Sequence, residues 1–282
     1  MLCSPSCRRS VTAESESVKL ISYFRPRDSE TFQPKSFHVC QHKCRFVRNM
    51  SLADAVLFQA SKIRDNVIPN FYRPPGQRWI FFTCDPAIKD YNLARSDVKS
   101  QFNWTVTYQL DSDVPILFAQ IKRRKPPVRN YEALFERKNK QAAWFVSHCS
   151  TSSKREVYVD RMQSIIQVDV FGRCGNLTCG PIHYRSSDRN ECMPMLTQHY
   201  KFYLAFENSF CKDYVSEKFF KLFGNVDVIP VVRGGFDYKR YLPSGIFVDA
   251  SDFKTPEDLA LYLLQLGNDK HKYLAMLKRK NQ

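Results

Sequence analysis

Short apolar runs of four to eight residues, each closed by a polar or Gly/Pro turn, recur through the chain. In the first part, 18–24 (VKLISYF), 37–40 (FHVC), 53–59 (ADAVLFQ) and 79–83 (WIFFT) read as strands. Arg73-Pro74-Pro75-Gly76-Gln77 is a breaker, Asp85-Pro86 ends the fourth strand, and 102–121 is less regular. The second part repeats the rhythm with helices between the strands. A helix is predicted over 131–141, then a strand over 142–147. A polar turn at 150–153 caps a helix over 154–166, with Val157, Met162 and Ile165 marking one face. Strands follow at 168–172, 199–206, 226–232 and 245–249, with a Cys-rich loop over 172–192 and a helix from Asp213 or Ser216 to Phe223. A last helix over 256–266 places Leu259, Tyr262, Leu263 and Leu266 together and is stopped by Gly267. Strands alternating with helices imply mainly parallel sheets, hence two successive α/β domains, 1–130 and 131–282.

Composition agrees with that picture. At 282 residues the chain exceeds one typical domain of about 100–150 residues, and 43% hydrophobic with 25% charged residues excludes disorder over most of its length. No apolar run approaches the roughly 20 residues of a membrane-spanning helix, and the first nine residues lack the apolar core of a signal peptide. The net charge of +15 is uneven: residues 1–145 carry 24 Lys+Arg against 13 Asp+Glu, the rest 19 against 15. Such an excess favours anionic partners. Nucleic acid is not the expected one, because the basic residues are scattered, no recognition module is present, and the run at 122–127 (KRRKPP) reads as a solvated loop.

Ten cysteines leave disulfides and metal as competing readings. His38, Cys40, His42 and Cys44 would fall in a line on one face of a strand, which suits tetrahedral zinc poorly. Sequons at Asn49, Asn103 and Asn176 are candidate glycosylation sites and lean toward a secretory compartment.

The densest chemistry lies at 203–218, where a buried strand runs into Glu207-Asn208-Ser209 and then a helix start carrying Asp213, Tyr214, Glu217 and Lys218. In parallel sheets ligands bind at the carboxyl ends of strands, and a helix N-terminus beside a lysine suits a diphosphate. Glu217 can accept from sugar hydroxyls; Asn208 and Tyr214 can hydrogen-bond a base or ribose. A surface loop with a helix cap is the alternative.

This stretch, Phe-Tyr-Leu-Ala-Phe-Glu-Asn-Ser at 202–209 followed by Asp213-Tyr214-Val215-Ser216-Glu217-Lys218, resembles the signature of the α-1,3-fucosyltransferase family. The resemblance extends over almost the whole chain through ADAVLF (53–58), RPPGQRW (73–79), FNWTVTY (102–108), WFVS (144–147), VDVFG (168–172), VIPVV (228–232) and FVDASDF (247–253), all in the family's order. Cys174-Gly-Asn-Leu-Thr-Cys179 is similar to the invertebrate and plant branch that acts on N-glycan cores. The resemblance implies a GT-B type glycosyltransferase of two facing Rossmann-like domains. Fucose would pass from GDP-fucose to a GlcNAc residue of an N-glycan or lactosamine acceptor, in α-1,3 linkage and with inversion. The N-terminal domain would hold the acceptor and the C-terminal one the donor. Carried over by motif, Arg155 and Lys218 would hold the diphosphate, Glu217 the ribose, and Tyr203, Asn208 and Tyr214 would line the nucleotide site. No cofactor or resident metal is implied; a divalent cation such as Mn would at most stimulate, and Asp111-Ser112-Asp113 reads as structural.

Three departures bear on the acceptor side. Cys84-Asp85-Pro86 stands where the family has Glu-Ser-Pro, whose Glu is its candidate base, so Asp85 becomes the candidate base here through a shift of one residue. Gln109-Leu110 replaces an Arg pair, and His148 an Asn. The alternative function is a catalytically weakened or silent sugar-nucleotide-binding homologue. Family members are typically Golgi membrane proteins held by an N-terminal anchor and stem, which this sequence does not contain.

Overall fold

The computed structural model describes residues 18–24, 44–63, 68, 71–86, 100–179 and 192–282. The chain divides into two units, residues 1–117 and 118–282. In the first, six strands β1 (Lys19–Phe24), β2 (Cys44–Phe46), β3 (Ala55–Gln59), β4 (Arg78–Thr83), β5 (Trp104–Thr107) and β6 (Val114–Pro115) pair in parallel in the order β2-β1-β3-β4-β5-β6. The core gathers Val56, Phe58, Ile63 and Trp79, with the Phe58 ring 4.8 Å from Trp79 and 5.5 Å from Phe102. The 73–77 breaker is a clamp: Arg73 lies over the Trp79 ring, and the buried Gln77 donates to Met50 O and Ala53 O while accepting from Trp79 Nε1. The strand predicted at 37–40 lies outside the described residues.

The second unit carries β7 (Lys140–Phe145), β8 (Val168–Phe171), β9 (Tyr200–Phe206), β10 (Ile229–Arg233) and β11 (Val248–Asp249), parallel throughout, in the order β11-β10-β9-β7-β8. Its helices are α1 (Tyr131–Arg137), α2 (Arg155–Met162), α3 (Cys192–His199), α4 (Glu217–Phe220), α5 (Tyr238–Tyr241), α6 (Pro256–Asn268) and α7 (Lys270–Lys280). All seven residues of β9 are buried, because both faces of the sheet are covered. Phe202, Leu204 and Phe206 face α2, α6 and α7 through Val159, Met162, Leu259, Leu263 and Leu277; Tyr203 and Ala205 face Leu196, Phe219 and Tyr238 of α3, α4 and α5. The winding reverses between β7 and β9, and that switch point is where such sheets open a crevice at their carboxyl edge.

Both units are thus the parallel α/β domains expected, with local corrections. The boundary anticipated at 130/131 falls at 117/118, since Arg124 donates to the Gln282 backbone oxygen and Arg129 pairs with Asp227 within the second unit. The helix begun at Tyr131 stops at Arg137, because Lys138 turns inward to the carbonyls of Thr197 and Tyr200, and β7 starts at Lys140. On α2 the buried face is Val159 and Met162; Val157 is 53% exposed. The region expected as loop before 192 gives way to α3, while the strand expected over 245–249 shrinks to Val248–Asp249. Gly267 does not stop α6 but lies inside it: a Cβ there would sit 2.9 Å from Gln141 Oε1 and 3.3 Å from the Phe202 ring, so glycine allows helix and strand to approach.

Candidate donor site at the sheet switch point

β9 delivers Glu207 to the carboxyl edge with no solvent exposure. A lone buried carboxylate is costly, so its partners define the site. Glu207 Oε1 accepts from the Ser216 backbone N–H at 2.8 Å, and the Ser216 hydroxyl lies 2.8 and 2.9 Å from the two carboxylate oxygens. Oε2 accepts from Lys218 Nζ at 3.0 Å. Lys218 Nζ also donates to Ser216 Oγ at 2.7 Å and lies 3.6 Å from Glu217 Oε1, whose side chain is 47% exposed. Burial alone would lower the Lys218 ammonium's pKa; the Glu207 and Glu217 carboxylates outweigh it and hold it above the ordinary lysine range. Ser216 is the N-cap of α4, as the sequence allowed, but α4 is only four residues long and the chain's own Glu207 occupies its start.

The facing wall is the loop between β7 and α2. Ser153 is bound to the end of β9 twice, through its N–H to Asn208 O at 3.2 Å and its hydroxyl to Glu207 O at 2.7 Å. Lys154 takes a left-handed φ of 50° and sets α2 on its course. Arg155 is buried, donates to Phe206 O at 2.8 Å and to His148 O at 3.4 Å, and lies over the Trp144 ring. Burial lowers its pKa, while Glu207, Glu156 and the phenols of Tyr203 and Tyr214 favour its charge. A disulfide, Cys149–Cys174, joins this loop to the one after β8. A second, Cys179–Cys192, joins that loop to α3. Arg233, at the end of β10, donates to Ser153 O and is held between the Tyr158 and Phe210 rings.

Several buried polar atoms here have no protein partner: Arg155 Nε, the Tyr203 hydroxyl, Asn208 Oδ1 and the Tyr238 hydroxyl. Unpaired buried polar groups mark places where a ligand or water completes the bonding. Tyr214 is buried nearby, its ring 6.4 Å from that of Phe118. Gly235 is obligatory for the floor of this loop, because a Cβ there would lie 2.2 Å from Cys211 O. The structure therefore gathers Arg155, Asn208, Glu217 and Lys218 around the ends of β7 and β9, with Tyr203 and Tyr214 beside them. Sequence reasoning missed Glu207, Ser153, Ser216 and Arg233 as site-forming groups. In the sequence, the apolar run of β9 signals only that Glu207 follows a buried strand.

In the first unit Asp85 follows β4; its N–H donates to Thr83 Oγ1 at 3.1 Å, and Cys84 and Asp85 are half-buried. Asp113 accepts from the N–H and hydroxyl of Thr105, both at 2.8 Å, which ties β5 to the turn before β6. Among the described residues no group of three or more His, Cys, Asp or Glu side chains is arranged to hold a metal ion. Asn49, Asn103 and Asn176 are exposed; Asn49 caps a 3-10 turn, and Asn103 Oδ1 accepts from Arg73 and from Trp79 N.

A doubly wound parallel sheet with cations and unsatisfied polar groups at its switch point is the class of α/β protein that seats nucleotide ligands. Residues 16–119 match the family model described as "Fucosyltransferase, N-terminal", and residues 135–282 that described as "Glycosyltransferase family 10 (fucosyltransferase) C-term". The chain belongs to glycosyltransferase family 10, the fucosyltransferase family its 202–218 motif resembled. It is 38% identical over 252 residues to alpha-(1,3)-fucosyltransferase C of Drosophila melanogaster, covering 82% of this chain and 57% of that protein. It is 33% identical over 249 residues to glycoprotein 3-alpha-L-fucosyltransferase A of the same organism, covering 84% and 47%. The chain spans about half the length of these curated relatives. A crystal structure of an alpha1,3-fucosyltransferase with GDP-fucose superimposes with a TM-score of 0.60 at 18% identity, covering 97% of this chain and 85% of that one. At that identity the likeness is one of fold.

Proposed function

We propose that this chain transfers fucose from GDP-fucose to a GlcNAc residue of an N-glycan or lactosamine acceptor, forming an α-1,3 linkage with inversion. The observation that carries the reading is the convergence of Arg155 and Lys218 with the exposed Glu217 carboxylate and the unpartnered Tyr203 hydroxyl and Asn208 Oδ1 at one switch point. Arg155 and Lys218 hold the diphosphate, Glu217 the ribose, and Tyr203, Asn208 and Tyr214 line the nucleotide. The acceptor hydroxyl oxygen attacks the fucose carbon as the bond to GDP breaks. Negative charge builds on the departing diphosphate, where preorganised cations stabilise it most. The hydroxyl's proton goes to a carboxylate. Asp85, at the carboxyl edge of the first unit's sheet, takes that role, and the first unit serves the acceptor while the second serves the donor. The chemistry is metal-independent, Mn being at most stimulatory, and the whole protein works in the Golgi lumen.

Cys84 favours a second reading, a silent sugar-nucleotide-binding homologue, since an unperturbed thiol is a poor base at neutral pH. Transfer of labelled fucose from GDP-fucose to a panel of N-glycan core and lactosamine acceptors separates the two. Activity lost in both Asp85→Ala and Lys218→Ala supports the enzyme. Activity surviving Asp85→Ala removes Asp85 from the mechanism. No transfer, with GDP binding that still depends on Lys218, establishes the silent reading.

A further inference from the structure

Lys218 has a flexible stem, and a lysine left to itself samples many rotamers in a site that needs one. Here its Nζ is fixed by two acceptors, Glu207 Oε2 at 3.0 Å and Ser216 Oγ at 2.7 Å, and one of its three N–H groups remains for another partner. Glu207 itself has no exposure, and both of its oxygens are already engaged by Ser216 and Lys218. The unfilled bonding capacity of the neighbourhood lies elsewhere, on Arg155 Nε, Tyr203, Asn208 and Tyr238. Glu207 is therefore built to hold other groups of the chain rather than to touch a ligand. It reaches two of them at once, the N-cap of α4 and the ammonium beyond it.

We infer that Glu207 is a positioning residue of the donor site: its buried carboxylate fixes the Lys218 ammonium in place and keeps it charged for a diphosphate. The inference rests on the donor-site reading above. The charged groups facing Lys218 are Glu207 from the end of β9, Glu217 from α4 and Arg155 from α2. Of these, Glu207 is the carboxylate that is wholly buried and in direct contact. Without it, burial and Arg155 both disfavour the ammonium, and only Glu217, 3.6 Å away and exposed to solvent, opposes them. Lys218 then loses its proton at lower pH.

The test is GDP affinity from pH 6 to 9.5 by calorimetry, with intact fold checked by circular dichroism. Glu207→Gln keeps the shape and removes the charge. Its alkaline loss of affinity is expected to begin at lower pH than in the wild type, giving roughly tenfold weaker binding at pH 9 and a change within about threefold at pH 6.5. In a Lys218→Ala background the same substitution is expected to add nothing, because two residues acting through one contact are not additive. Glu207→Asp, which retains the charge, is expected to restore the profile at least halfway; if Glu207→Gln does not fold, Glu207→Asp against the wild type carries the test through a smaller shift of the same limb. An even loss at every pH, repeated in the Lys218→Ala background, makes Glu207 a purely structural residue and overturns the inference while the donor site stands. GDP binding unaffected by Lys218→Ala removes the donor-site reading and this inference with it.

Discussion

The Cys149–Cys174 disulfide is expected to set the stability of the second unit while leaving its native geometry almost untouched. It joins residues 25 apart, and in the chain-entropy description a loop of that length, closed in the unfolded state, contributes about 3.5 kcal/mol. The native edge is held independently. Val146 N–H donates to Phe171 O at 2.9 Å, Arg173 Nε to Ser147 O at 3.0 Å, and Gly172 N–H to Leu177 O at 3.0 Å. The double variant Cys149→Ser/Cys174→Ser should therefore lose stability mainly through a freer unfolded chain. Urea unfolding of this variant under non-reducing conditions is expected to show a free energy lower by about 3–4 kcal/mol, and melting lower by about 7–14 °C for a unit of this size. Below its transition the variant should bind GDP within about threefold of the wild type, because Arg155 still reaches Phe206 O and Ser153 still reaches Glu207 O. A loss under about 1 kcal/mol refutes the unfolded-state argument. Full stability with GDP binding abolished refutes the claim that hydrogen bonds alone hold the loop.

Other outcomes follow from the same structure. Gly235→Ala puts a Cβ 2.2 Å from Cys211 O, so the 207–216 loop must shift; GDP affinity should fall by an order of magnitude or more, with melting lowered. Phe219→Ala, wholly buried between the Tyr238, Phe223 and Phe247 rings, should cost about 3–5 kcal/mol in urea unfolding. Arg161→Ala breaks an exposed pair with Glu257 and should change stability by less than about 1 kcal/mol. Burial holds Lys138 and Lys280 down to about 7, against 10.5 for a free lysine, so the unfolded chain binds more protons between those values. Unfolding free energy should then rise with pH from 7 toward 10.5, by up to about 1.4 kcal/mol per unit for each lysine. Lys138→Met should flatten that slope, although it also removes the bonds to Thr197 O and Tyr200 O.

What the sequence made legible is what short-range physics decides. The apolar runs that became β3, β4, β7, β8 and β9 are too short and too β-branched or aromatic for helices, and Thr255-Pro256 announces α6 through a cap and a proline at its first turn. What stayed hidden depends on a partner far along the chain. Val157 is as apolar as Val159, but only the sheet beneath decides which side of α2 is covered. Helix α7, KHKYLAMLKRK, lies beyond the last helix predicted; few of its residues are apolar, yet Tyr273, Leu274 and Leu277 are buried together in the core. Gly267 looks like a stop because glycine usually ends helices; the closeness of Phe202 makes it an interior packing residue instead. In the site, residue types were readable and their bonding was not. Lys218 and Glu217 stand out as charges at a helix start, but nothing local shows that a carboxylate from β9 already occupies it.

That carboxylate changes how the site's charge is understood. A pocket for a diphosphate would be expected to collect cations only, yet Glu207 and Glu217 stand against Lys218 and Arg155. Stability does not explain the buried anion, because buried ion pairs are commonly matched or bettered by apolar residues of the same volume. Geometry does. The doubly wound order brings β7 and β9 side by side, so the loops leaving them meet at one edge. Arg155 spans that meeting point by bonding Phe206 O and His148 O, and Glu207 fixes the β9 side of it by bonding Ser216 and Lys218. Each cation is thus held by oxygen atoms of the chain before any ligand arrives. In the proposed donor role, a diphosphate would meet cations that the chain has already ordered, which is the condition under which fixed charges stabilise a leaving group most.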